Sequence, residues 1–158
     1  MNHHVQRLEL GKEEIEWLVK KLKGMSFFEG LRMGVVEDIL PSFARFRYPR
    51  GYAVVRQGKP GTAFFVIFKG KVSIAKGKWL GLSSEKVADL GPGNFFGEMS
   101  LVESTPCNAT VSTVEDSEIF VLLKQDFDYI LSKNPALAGH MRKSAAFRNF
   151  EMQQRGYS

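Results

Sequence analysis

A chain of 158 residues with 44% hydrophobic residues and thirteen Phe is sized for one domain with helical appendages and can bury a real core. Its single cysteine excludes an internal disulfide and a cysteine-rich metal site. Its formal net charge is +5, its longest apolar run (Ala63–Phe68) is far short of a bilayer span, and Met1–Leu10 has no signal-peptide pattern, so a cytoplasmic location is expected.

In chain order, Ile15, Leu18, Val19 and Leu22 recur at i, i+3, i+4 and i+7, one stripe of an amphipathic helix that Gly24 is suited to end. Leu31, Val35 and Ile39 mark a second helix, which Pro41 ends or kinks. Between Arg45 and Leu123 the texture changes to short runs rich in Val, Ile, Phe and Thr. These runs are punctuated by Gly51, Gly58, Gly61, Gly70, Gly77, Gly91 and Gly93. Such a pattern belongs to an all-β barrel or sandwich, with glycines giving positive φ at turns and bulges. The segment Gly77–Lys86 reads as a longer polar loop. Helical texture returns with Phe127, Ile130 and Leu131. After Pro135 it continues in a segment that places Met141, Ala145, Arg148 and Met152 close to one face.

Charge is unevenly spread. Every charged residue from Arg45 to Lys78 is basic, whereas acids dominate from Glu85 to Asp128. A basic face can attract nucleic acid, but no helix-turn-helix, zinc-finger or aromatic-rich nucleic-acid motif accompanies it. The preferred reading is a set of solvated strand positions, and direct DNA binding is not expected.

The segment "GPGNFFGEMSLVESTPCNAT", Gly91–Thr110, has the glycines, small residues and short helical start of an anion cradle, yet no Lys or Arg. After Gly97, "EMSLV" can form a helical turn whose first N–H groups point at an anion. Glycine lets a sugar phosphate approach the backbone. A carboxylate at Glu98 either accepts a hydrogen bond from a ribose hydroxyl or simply favours the helix dipole.

The order helix, β-rich region, helix, with these glycines and this cassette, resembles the cyclic nucleotide-binding domain family from about Ser26 to Ala138. The quoted pieces are "FFEGL", "YPRGYAVVRQGKPGTAFFVIFKGKVSI", "LGPGNFFGEMSLVESTPCNATV" and "LLKQDFDYILSKNPALAG". The resemblance implies a mainly β fold, an antiparallel double-stranded β-helix (jelly roll or β-roll), with N-terminal helices and C-terminal lid helices. It divides the chain into an N-terminal helical extension at 1–24, the β-roll domain at 25–138 and a C-terminal helix or lid at 139–158.

The implied ligand is cAMP or cGMP, with no other cofactor. The implied contacts are Gly97, Glu98, Met99, Ser100, Cys107, Asn108 and Ala109, with Glu98 on the ribose 2′-hydroxyl. One departure stands out: Cys107 occupies the position where the family usually carries the phosphate-binding Arg. Losing a charge-assisted hydrogen bond of roughly 1.5–3 kcal/mol weakens binding on the order of 10- to 100-fold or more. Asn108 remains as a neutral donor. Lys59, where the family often has an acid, reads first as a plain surface difference and otherwise as added positive potential near the pocket. Arg148, on the helix that closes over the base, reads first as a solvent-exposed Arg and otherwise as a replacement cation. Cys107 itself has no flanking cation to lower its pKa, which favours a small inert side chain over a redox sensor.

Two rivals to nucleotide binding arise. A cupin-type metalloenzyme needs several His on barrel strands, but His3, His4 and His140 all lie outside the β-rich part. No Ser-His-Asp set, Cys-His pair or P-loop is present either, so no metal site and no catalysis are expected. A degenerate domain without nucleotide would instead act in dimerisation or docking. That role would use Phe147 and Phe150 of the last helix, with a second copy or an effector domain in another chain or beyond this sequence as partner.

Overall fold

The run Ala63–Phe68 is apolar at every position because its strand is buried on both faces. In the computed structural model, which describes residues 4–25, 28, 33–77, 83–103, 105–140 and 143, this strand lies inside a five-stranded sheet. Side chains alternate along a strand. Phe64 and Val66 therefore point to one side, and Ala63, Phe65 and Ile67 to the other.

Among the described residues, nine strands form two antiparallel sheets. The first has the order β1 (Gln6–Leu8), β2 (Phe43–Tyr48), β9 (Ser117–Leu123), β4 (Ala63–Lys69), β7 (Phe95–Phe96). The second has the order β3 (Ala53–Val55), β8 (Thr110–Thr113), β5 (Val72–Gly77), β6 (Ser84–Leu90). Between the sheets sits a core of Tyr48, Phe65, Ile67, Val72, Val111, Ile119 and neighbours. There Phe65 and Phe96 stack with ring centroids 4.7 Å apart. This is the mainly β architecture with flanking helices expected from the glycine-punctuated runs.

The other face of the first sheet carries the helices. Helix α1 (Lys12–Lys23) buries Leu18 and Leu22 there, α2 (Met33–Ile39) buries Val36 and Ile39, and α3 (Lys124–Ser132) buries Phe127 and Ile130. Pro41 follows α2 in a 3₁₀ turn, Leu40–Ser42, as its missing N–H requires. Phe64, Phe120 and Leu122 of the sheet are fully buried beneath this layer, and Trp17 of α1 meets Phe68 edge-on at 4.9 Å.

Several details differ from the sequence reading. Strand β1 was not foreseen: its three residues pair antiparallel with Arg45–Arg47 and extend the sheet edge. The β5–β6 ladder runs out to Gly77 paired with Ser84, so strands occupy both ends of the expected loop; residues 78–82 lie outside the described ones. Helical backbone resumes at residues 135–140, but Leu31, Met141, Ala145, Phe147, Arg148, Phe150 and Met152 lie outside the described residues.

Charge separated along the chain meets in space. Arg45 donates through Nη1 to the Glu9 carbonyl oxygen and to Glu14 Oε1, each at 3.0 Å, and through Nη2 to Glu118. Lys69 reaches Glu118 at 3.6 Å. Part of the basic run thus faces acids supplied by α1 and β9. No helix among the described residues is long and apolar enough to cross a membrane.

Candidate phosphate-binding cassette

Strand β7 ends at Phe96 and runs directly into Gly97, which adopts φ +82° and starts a short 3₁₀ helix, Glu98–Leu101. Only glycine suits this corner. A Cβ there would stand 2.7 Å from the Ala63 carbonyl oxygen and 3.3 Å from Phe65 Cδ2, in a backbone region that side chains rarely adopt. The close approach to β4 presses the cassette against the sheet.

Beyond Gly97 the expected ligand residues separate into two groups. Glu98 is 5% exposed at the first position of the short helix, and Ser100 is 9% exposed. The Ser100 N–H donates to the Gly97 carbonyl at 3.0 Å, and the Met99 carbonyl accepts from Val102 and Glu103. The expected row of outward N–H groups is therefore shortened by one. Leu101 is fully buried in the cluster shared with α1 and α3.

The second group is Cys107, Asn108 and Ala109. Cys107 is half-buried, Asn108 exposed and Ala109 buried. Burial pushes the Cys107 thiol above its ordinary pKa, which agrees with the inert reading. This group is attached to the body through a turn distant in sequence. The Cys107 N–H donates to the Lys59 carbonyl and the Gly58 N–H donates to the Cys107 carbonyl, both at 2.8 Å. Pro60 and Pro106 form an antiparallel bridge, and the Gln57 N–H donates to Thr110 Oγ1 at 3.0 Å.

The two groups converge at Gly61. A Cβ on Gly61 would stand 2.0 Å from Ser100 Oγ and 3.6 Å from Cys107 Sγ. This glycine was expected to supply positive φ at a turn, but no left-handed backbone occurs there; Gly51, Gly58, Gly70, Gly93 and Gly97 have it. Gly61 instead makes room for Ser100 and Cys107. In sequence it looks like any other loop glycine, so only the distant pairing reveals its use. Among the described residues no group of three or more His, Cys, Asp or Glu could hold a metal ion.

The sequence profile of the cyclic nucleotide-binding domain matches residues 45–134. The chain is 34% identical, over 80% of its length and 58% of the relative's, to the cyclic AMP receptor protein of Thermus thermophilus. It is 33% identical, over 77% of its length and 32% of the relative's, to a cyclic nucleotide-gated potassium channel of Mesorhizobium japonicum. It thus spans only part of these curated relatives. A solved cyclic nucleotide-binding domain from Methylobacillus flagellatus superposes with a TM-score of 0.76 at 18% identity, over 97% of this chain and 85% of that one. The Thermus thermophilus catabolite activator protein superposes at 0.67 with 32% identity, over 83% of this chain and 61% of that one.

Proposed function

The chain belongs to the cyclic nucleotide-binding domain family, and on that premise we propose that it is a non-catalytic regulatory module. It holds cAMP or cGMP in the cassette Gly91–Thr110 and passes occupancy to the helical layer. The phosphate lies against the Gly97–Ser100 corner and the Cys107–Ala109 segment, and Glu98 accepts from the ribose. The C-terminal segment 139–158, expected to close over the base, lies mostly outside the described residues.

Leu101 carries this reading. It ends the helix that would meet the phosphate, and it is fully buried in one cluster with Leu22 of α1 and with Phe127 and Ile130 of α3. Close-packed interiors do not absorb small displacements. A ligand that draws the corner inward therefore acts on the packing of α1 and α3, shifting populations between arrangements of the helices. The partner that reads this change is an effector domain in a longer chain, another chain or a second copy.

Thermal unfolding with cAMP, cGMP and AMP, each at about 1 mM, tests the reading. A ligand at 100 times its Kd adds about 2.7 kcal/mol, several degrees for a domain of this size. A shift with a cyclic nucleotide and none with AMP is expected. No shift in the natural chain, together with a clear one in a Cys107→Arg variant, would overturn it. The pocket would then be sound but without its ligand, and docking or dimerisation would become the function.

A further inference from the structure

The cassette Gly91–Thr110 contains no Lys or Arg, so a bound phosphate would need positive charge from elsewhere in the fold. Lys21 of α1 comes near the cassette's Gly93 end, where a Cβ would stand 3.4 Å from Lys21 Nζ. The turn Arg56–Pro60, which carries Arg56 and Lys59, is instead joined by direct backbone pairing to the Cys107 end. That turn is closed by the Lys59 N–H donating to the Arg56 carbonyl at 3.1 Å. It is tied to the cassette at Cys107, at Pro106 and at Thr110. Gln57 also accepts from the Gly77 N–H, which anchors the turn to the second sheet. Antiparallel partners stand about 4.5–5.5 Å apart at Cα, so the Lys59 backbone is held beside Cys107.

Arg56 and Lys59 are both exposed, and among the described residues neither forms a salt bridge. Arg45, Lys69, Lys86 and Lys124 are paired with acids. An ammonium on a flexible four-carbon stem, rooted beside Cys107, can reach an anion at Ser100 and Asn108 while staying hydrated.

We propose that the turn Arg56–Lys59 is the cationic wall of the nucleotide site and that Lys59 supplies the charge that neutralises the cyclic phosphate. The inference rests on the nucleotide-binding reading above. Placing the charge on a neighbouring turn has a physical consequence. The ion pair is more solvated than one inside the cassette, so its strength depends more strongly on salt.

Calorimetric titration of cAMP and cGMP into the natural chain, Lys59→Gln, Lys59→Arg and Lys86→Gln tests this. Lys86 pairs with Asp89 on β6 and reports the effect of net charge alone. Circular dichroism shows that each variant is folded. Lys59→Gln is expected to weaken binding about tenfold, Lys59→Arg to keep it within about threefold, and Lys86→Gln to leave it unchanged. Raising salt from about 50 to about 500 mM should weaken the natural chain more than Lys59→Gln. A folded Lys59→Gln variant that binds as tightly as Lys86→Gln would overturn this role and leave the nucleotide reading standing. A natural chain that binds neither nucleotide would overturn both.

Discussion

The two halves of the cassette are held in different ways. The first, from Gly91 to Leu101, is wedged into the body at its Phe96–Leu101 end. Gly97 lies against the β4 backbone, and Glu98, Ser100 and Leu101 are buried. The second, from Thr105 to Ala109, ends in a buried Ala109 but otherwise lies near the surface, held by backbone bonds to the Arg56–Pro60 turn. Steric demands dominate the first half and leave little choice of residue. In the second half the backbone carries the attachment, so side chains can change without loss of the fold. Under the proposal above, this is why position 107 can hold a Cys while the neighbouring turn carries the charge.

Gly97→Ala is the most damaging single change expected under this contrast. A left-handed alanine and a Cβ only 2.7 Å from a backbone oxygen should together cost about 3 kcal/mol. Chemical denaturation measures it. A loss below about 1 kcal/mol would show that the corner yields and that the first half is not wedged.

Gly61→Ala probes the seam between the halves. Its Cβ would meet the Ser100 hydroxyl, which can rotate away, and Ser100 Cβ at 3.0 Å, which cannot. A stability loss of about 1–2 kcal/mol is therefore expected. The larger effect should fall on cyclic nucleotide affinity, because Ser100 and the Cys107 segment are pushed apart. Unchanged affinity at reduced stability would separate Gly61 from the site.

The sequence made the first half more legible than the second. Helix α1 was readable from its apolar stripe, and the cassette from its glycines and "FFGEMSL". Burial of β4 on both faces follows from an unbroken apolar run. The reason for Gly97 was not readable, because the atom that forbids a side chain is the carbonyl oxygen of Ala63 on another strand. Gly61 was harder still, and the resemblance marked Lys59 without showing that it sits beside Cys107. Their neighbours Ser100 and Cys107 are distant in sequence, and no local pattern announces a turn pairing with a loop. Strand β1 escaped notice because "QRL" has no β-branched residue and exists as a strand only by pairing with β2.

The smallest expected effect is at Cys107. Burial raises its pKa, so on raising pH the unfolded chain loses the thiol proton before the folded one does. Any stability linked to this group is present below the ordinary thiol range and is lost as pH rises through the folded value. Alkylation by iodoacetamide should therefore be slower in the folded chain than in the urea-unfolded chain at neutral pH. The folded rate should climb only at more alkaline pH. A folded rate equal to or above the unfolded rate at pH 7 would mean an exposed, activated thiol. The second half would then hold a reactive group where the packing now describes a spacer, and the tolerance argued for position 107 would fail.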